Sequence, residues 1–267
     1  MKRFSTIFTV PKPVIGMIHV QALPGTPKYQ NSIQAIIDHA IEEVEIYKKA
    51  GIDALAIENM HDVPYLKNEV GPEIIATMTA VAQAVKQESQ LPCGIQILAA
   101  ANQAALAVAQ AAKFDFIRAE GFVFGHLADE GYIDSNAGAL LRYRKMIGAE
   151  DIAVFTDIKK KHSSHAISAD VSLVETAKAA AYFLSDGLII TGSSTGLAAN
   201  QQALQEVHQA TQIPTLVGSG ITLDNIGDYW TIADGFIVGS YFKQDSIWSN
   251  PLDYERIARF MDKVKTL

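Results

Sequence analysis

The stretch 213-IPTLVGSGITLDNIGDYWTIADGFIVGS-240 holds two short apolar runs, each ending in small residues. Ile213–Val217 precedes Gly218-Ser219-Gly220, and Gly235–Val238 precedes Gly239-Ser240, with room for only one short helix between them. Runs too uniformly apolar to alternate are what a parallel sheet buried on both faces requires. Glycines at the carboxyl ends of such strands let backbone N–H groups converge with no Cβ in the way. Two such loops in succession, late in a chain, match the anion site that follows the seventh and eighth strands of a (β/α)8 barrel. Phosphate is therefore expected on Gly218, Ser219, Gly220, Gly239 and Ser240, with Gly192, which follows the preceding strand, joining them.

Outward from this stretch, the whole chain alternates apolar runs with longer helix-period segments. Strands are expected at Val14–His19, Ile52–Glu58, Cys93–Leu98, Phe116–Glu120, Ile152–Asp157, Gly187–Thr191, Thr215–Val217 and Gly235–Val238. Helices are expected at Ile33–Lys49, Glu73–Gln87, Gln103–Ala112, Gly138–Ile147, Val171–Phe183, Gln201–Thr211, Leu223–Tyr229 and Leu252–Lys265. In the first helix, Ile33, Ile36, Ile37, Ala40, Ile41, Val44 and Tyr47 recur at helical spacing, and Lys48-Lys49-Ala50-Gly51 supplies basic residues and a C-cap glycine at its end. Eight βα units in 267 residues predict one α/β domain over residues 1–267, a (β/α)8 TIM barrel with its helices outside. The runner-up, an open doubly wound sheet, would carry G-x-G-x-x-G after its first strand, where this chain has Gln21-Ala22-Leu23-Pro24-Gly25.

Hydrophobic residues make up 49% and charged residues 19%, which excludes a disordered chain. A net charge of −7 without a basic stripe argues against a nucleic-acid partner and for small molecules. The lone Cys93 excludes a disulfide framework and a thiolate metal cluster, and fits a reducing, cytoplasmic setting. No apolar run is long enough to span a membrane; the Ala-rich Ile97–Ala112 is broken by Asn102, Gln103 and Gln110. Pro11-Lys12-Pro13 interrupts any signal-like region, and the fold is expected to begin at Pro13. A homo-oligomer is compatible with this composition.

Side chains at the ends of barrel strands line the active face, so the strand ends give the candidate site: His19, Glu58, Gln96, Arg118 with Glu120, Asp157 with Lys159, and Thr191. Glu58 closes an apolar run whose burial would raise its pKa, and is the preferred general base or orienting carboxylate; the other reading has it hold Arg118 in an ion pair. Asp157 is read as an acid, a base or a metal ligand, and His19 as a carbonyl polariser or proton shuttle. The loop Lys159-Lys160-Lys161-His162-Ser163-Ser164-His165 concentrates cations in an acidic protein, which suits an anionic substrate. Lys159 joins the catalytic set, and Asn59, Lys160 and His162 the substrate-binding one. No cofactor is expected. A divalent metal among Glu58, His61, Asp62, His162 and His165 would need ligand spacing that this sequence does not show.

These residues carry a resemblance. Val14-Ile15-Gly16-Met17-Ile18-His19 with Ala22–Pro27, and Gly51–Glu58 followed by Asn59-Met60-His61-Asp62-Val63-Pro64-Tyr65, resemble the BtpA family, which includes SgcQ-like members. The likeness continues through Phe116-Ile117-Arg118, Asp157–Ser163, Val217–Gly220, Ala233-Asp234-Gly235 and Phe242-Lys243. It implies a barrel of the ribulose-phosphate-binding type. It also implies two functional classes. One is an enzyme acting on a phosphorylated small molecule, a sugar phosphate or nucleoside-type compound. The other is a non-catalytic factor of photosystem I biogenesis, peripheral to the membrane.

Overall fold

The computed structural model describes residues 2–30, 32–192 and 196–267. Its strands are β1 (Val14–His19), β2 (Ala54–Glu58), β3 (Cys93–Gln96), β4 (Phe116–Ala119), β5 (His126–Ala128), β6 (Gly131–Ile133), β7 (Ala153–Asp157), β8 (Ser163–Ser164), β9 (Gly187–Ile190), β10 (Thr215–Val217) and β11 (Gly235–Val238). Its helices are α1 (Lys2–Ile7), α2 (Ile33–Ala50), α3 (Pro72–Ser89), α4 (Asn102–Ala112), α5 (Ala137–Met146), α6 (Leu173–Tyr182), α7 (Gln201–Ala210), α8 (Ile226–Trp230) and α9 (Tyr254–Val264). Eight strands close a parallel barrel in the order β1-β11-β10-β9-β7-β4-β3-β2. β5, β6 and β8 form a small antiparallel sheet outside it.

Local chemistry sets the boundaries. Ser32 caps α2 by accepting from the Ala35 N–H, and Gly51 ends that helix at φ 76°, a conformation that costs glycine little. Ser172 and Glu175 form a reciprocal capping box at the start of α6.

Two apolar layers result. One lies between barrel and helices, where Tyr47, Phe122, Phe242 and Phe260 are buried with the aliphatic residues of α2, α3 and α4. The other fills the barrel itself: Ile15, Met17, Ala54, Ala56, Phe116, Ala153, Phe155, Ile189, Leu216 and Ile237 point inward. Phe4 and Phe8 belong to this inner layer. They bring α1 across the amino-terminal end of the barrel, Phe8 with its ring centroid 5.8 Å from Phe116 and Phe4 5.9 Å from Phe155.

The fold therefore starts before Pro13, contrary to expectation. α1 has too few residues to display a period, and Phe4 within it and Phe8 just after it find partners only once the barrel exists. Several strands are also shorter than the apolar runs suggested. Leu98, Glu120 and Thr191 lie beyond the last ladder pairs, and Ile52 and Ile152 before the first. The long connections after β4 and β7 are ordered by each other: Leu127 of β5 pairs with Tyr132 of β6 and Ser164 of β8.

Candidate active site

Alternation inside the barrel builds the site. In a strand, residues two apart share a face. The inward-pointing Met17, Ala56, Phe116, Phe155, Leu216 and Ile237 are thus followed, two positions on, by His19, Glu58, Arg118, Asp157, Gly218 and Gly239. Register places His19 beside Glu58, and Glu58 beside Gln96. The apolar plug gives way to polar groups at the carboxyl ends of the strands, around a cavity of about 450 Å³.

The centre of that mouth is an ion pair. Arg118 Nε donates to Asp157 Oδ2 at 2.7 Å, and Nη2 to Oδ1 at 2.8 Å. Both side chains are almost wholly buried. Two parallel bonds fix the plane of the guanidinium. The alternative reading of Glu58, as the carboxylate that holds Arg118, is not met, because Asp157 holds it.

Glu58 is buried and lines the cavity. Burial pushes its carboxyl above the ordinary range, against the pull of Arg118 and Lys161. Glu120 is tied at both ends, with Oε2 accepting from the Ala100 N–H at 3.2 Å and Oε1 3.4 Å from the Lys160 ammonium. Gln96 faces the same space, and its buried Oε1 has no partner among the described residues. That oxygen is placed to accept from a ligand hydroxyl.

The His19 Nδ1 lies 2.9 Å from the Trp248 carbonyl oxygen. A carbonyl only accepts, so Nδ1 carries the proton and Nε2 presents a lone pair. Burial, reinforced by the charge of Lys243, lowers the His19 pKa to about 3, which keeps the ring neutral at physiological pH. Lys243 in turn is buried against Glu43 of α2.

Three consecutive lysines go to three places. Lys159, at φ 45°, turns its ammonium to the Ser168 carbonyl oxygen at 3.1 Å, outside the main cavity. Lys160 pairs with Glu120. Lys161 lines the cavity within electrostatic reach of Arg118, Glu58, Asp157 and Glu120; burial and then the Arg118 charge lower its pKa. Its ammonium has no hydrogen bond or ion pair among the described residues. Sequence reasoning put Lys159 in the catalytic set; the structure puts Lys161 at the mouth.

The opposite edge is built of glycine loops. Gly218, Ser219, Gly220, Gly239 and Ser240 all line the cavity. The Gly218 N–H is used within the barrel, donating to the Ile190 oxygen at 2.9 Å, so Gly218 provides room rather than a donor. Gly220 has φ +67°, and a Cβ there would lie 2.2 Å from the Leu197 carbonyl carbon. The Ser219 hydroxyl donates to the Leu197 oxygen at 2.9 Å, binding the loop after β9 to the loop after β10. The 3₁₀ turn Ser240–Phe242 makes its first bond from the Phe242 N–H to Gly239, which leaves the Ser240 and Tyr241 amides outside that turn's own pattern.

Some expected residues support the site from outside it. Asn59 accepts from the Leu98 N–H and donates to Asp62, both at 2.8 Å, and Asp62 accepts from the Leu23 N–H, stapling the first two βα loops together. The Thr191 hydroxyl accepts from the Lys161 N–H at 3.3 Å, and Gly192 packs beneath the Leu197–Ala198 backbone. The His165 Nε2 donates to the Lys160 carbonyl oxygen at 2.9 Å. His162 lines the cavity. Met60, Tyr65 and Trp248 line it too, without having been expected; His61 packs its ring against Trp248 at 4.9 Å.

Fold and site together define a (β/α)8 barrel, stoppered at its amino-terminal end, with one polar cavity edged by glycine loops at the other. The chain belongs to the BtpA family, whose model matches residues 10–266. A mitochondrial protein of Caenorhabditis elegans is 51% identical over 95% of this chain and 93% of its own length. The photosystem I biogenesis protein BtpA of Synechocystis is 30% identical over 98% of this chain and 91% of its own. Among solved structures, the (S)-3-O-geranylgeranylglyceryl phosphate synthase of Thermoplasma acidophilum, in complex with sn-glycerol-1-phosphate, superposes with a TM-score of 0.63 at 15% identity. It covers 100% of this chain and 98% of that one. The orotidine 5'-monophosphate decarboxylase of Methanocaldococcus jannaschii superposes with a TM-score of 0.60 at 14% identity, covering 95% and 98%. The expected barrel stands. No helix among the described residues is long and apolar enough to cross a membrane.

Proposed function

We propose that this protein is an enzyme that binds a phosphorylated small molecule, a sugar phosphate or nucleoside-type compound, and acts on it at the carboxyl-terminal mouth of the barrel. One observation carries the reading: Glu58, with its raised pKa, and Lys161, which has no ion-pair partner among the described residues, share a cavity with the Gly218–Gly220 and Gly239–Ser240 edge. The phosphate sits on that edge, where glycines admit close approach and the Ser240 and Tyr241 amides lie outside the bonds of their own turn. The rest of the ligand reaches toward Glu58, which moves a proton. Arg118, held flat by Asp157, binds the oxygen on which negative charge develops, and neutral His19 accepts a hydrogen bond through Nε2. In this reading Asp157 positions Arg118 and Lys159 holds its loop. The solved barrels that resemble this one include proteins described with phosphorylated ligands, which is consistent with the assignment. The buried Cys93 thiol suits a reducing compartment, and we place the protein in the cytoplasm. Thermal shift against inorganic phosphate and a panel of sugar and nucleoside phosphates tests binding. Turnover of the ligands that bind, by wild type and by Glu58→Gln, tests chemistry. A flat thermal response to the whole panel overturns the assignment.

A second reading, an assembly factor of the kind named in the Synechocystis relative, is favoured by one feature. Tyr182, Phe183 and Leu184 at the end of α6, and Met146 at the end of α5, are exposed large apolar residues at the barrel face opposite the cavity. Such clusters mark docking or self-association surfaces. If Tyr182→Glu with Leu184→Glu abolishes a biological role that Glu58→Gln leaves intact, this reading replaces the first.

A further inference from the structure

The three lysines of the fifth βα loop differ in what their ammonium groups touch. Lys159 donates to Ser168, and Lys160 faces Glu120. Lys160 and Lys161 both line the cavity, but Lys161 has no counter-ion at pairing distance among the described residues; Arg118 is a like-charged neighbour, and Glu58, Asp157 and Glu120 act on it only from beyond that distance. The glycine edge already offers phosphate a place, which leaves the Lys161 amine for another part of the ligand. A cation crowded by another cation and withdrawn from bulk water is relieved by giving up its proton, and a neutral amine is a nucleophile. Burial acts in the same direction. Glu58 lines the same cavity within electrostatic reach of this amine. Met17, Met60 and Leu98 line the same cavity with apolar surface that limits water, which favours a condensation that expels it.

We propose that the ligand carries a carbonyl group as well as its phosphate, and that the Lys161 amine condenses with that carbonyl to form an imine. This rests on the phosphate-binding reading above and assigns the substrate class. The Lys161 ammonium first gives a proton to the Glu58 carboxylate; the freed nitrogen lone pair then forms a bond to the carbonyl carbon, while the C=O π pair moves to oxygen, which takes that proton from Glu58. The nitrogen returns a proton to Glu58. The C–O bond then breaks as the oxygen takes a second proton, the one just returned to Glu58, and leaves as water, and the nitrogen lone pair closes the C=N bond, leaving Glu58 ionised as it began. Overall, an ammonium and a carbonyl give a protonated imine and one water, with no oxidant or reductant. The imine then draws electrons from the neighbouring carbon, so the chemistry served is bond making or breaking at the carbon next to the carbonyl.

The full chain is incubated with dihydroxyacetone phosphate, and separately with pyridoxal 5'-phosphate, then treated with sodium borohydride and mapped by peptide mass spectrometry. The expected result is one reduced adduct, on Lys161, suppressed by excess inorganic phosphate, lost in Lys161→Arg and kept in Lys160→Arg. The native chain's map decides the matter even if a variant fails to fold. Adducts confined to other lysines, or none while dihydroxyacetone phosphate still raises the melting temperature, overturn the imine and leave the phosphate site standing. No adduct and no thermal response to phosphate or either probe overturns both.

Discussion

Arg118 and Asp157, from neighbouring strands of the barrel, face each other through two parallel hydrogen bonds of 2.7 and 2.8 Å at the floor of the cavity. A buried pair of this kind gains little over a well-packed apolar pair, but removing one partner strands the other charge. Asp157→Ala is therefore expected to cost about 3–5 kcal/mol of folding stability. The lower end is expected, because Glu58 and Glu120 still face the guanidinium. Replacing Arg118 and Asp157 together by Met and Leu should cost less than Asp157→Ala alone. Urea denaturation of the three variants checks this.

Glu58 gives a pH signature. Its folded pKa lies above its unfolded value, so the stability it contributes is fully present below the ordinary carboxylate pKa and is lost as pH rises through the folded value. Glu58→Gln carries no such penalty. The variant should match wild type in stability near pH 4 and exceed it progressively toward pH 8, by urea midpoints across that range. A wild type that stays ahead at pH 8 would contradict the burial argument.

His19 runs the other way. With a folded pKa of about 3, it contributes stability that is present above its unfolded pKa and lost as pH falls toward 3. Between about pH 6.5 and the folded value the unfolded state alone takes up the proton, a slope of about 1.4 kcal/mol per pH unit. The stability difference between wild type and His19→Gln should carry that slope. In NMR spectra the His19 ring should show no titration between pH 5 and 8.

At Gly220, φ is +67° and a methyl group in place of the hydrogen would sit 2.2 Å from the Leu197 carbonyl carbon, which leaves no room for a side chain. Gly220→Ala should lose more than about 1 kcal/mol and abolish the phosphate-dependent rise in melting temperature. Gly131, at φ +102° with nothing within 4 Å of the corresponding Cβ, is the control. Gly131→Ala should show backbone strain and an unchanged phosphate response.

Phe8, only 4% exposed, fills the amino-terminal end of the barrel. Phe8→Ala should cost about 3–5 kcal/mol. Chemical denaturation measures the loss, and a cost below about 1 kcal/mol would mean that α1 does not hold its place.

How far the sequence could be read follows from what each feature depends on. The barrel was legible because strands buried on both faces stay apolar throughout, as in Gly235–Val238. That same uniformity hides which residues face inward, so Met17 and Ile18 look alike although only Met17 points into the barrel. His19, Glu58, Gln96 and Arg118 were recognisable because polar groups end apolar runs. The pairing of Arg118 with Asp157 was not, since it depends on how two strands 39 positions apart are staggered. Nor could Lys159, Lys160 and Lys161 be told apart. Their chemistry is identical, and they are sorted by a backbone that passes through positive φ at Lys159 and His162. Trp248 reaches the site from the loop after the last strand, with no charge or spacing to announce it.

Phe4 of α1 and Phe8 just after it make the barrel a blind vessel. Whatever enters must leave by the same doorway, past Trp248 and the lysine loop, so a ligand still lodged there bars the next. Departure and arrival then compete for a single passage, and the pace of traffic through it bounds how fast one occupant can replace another.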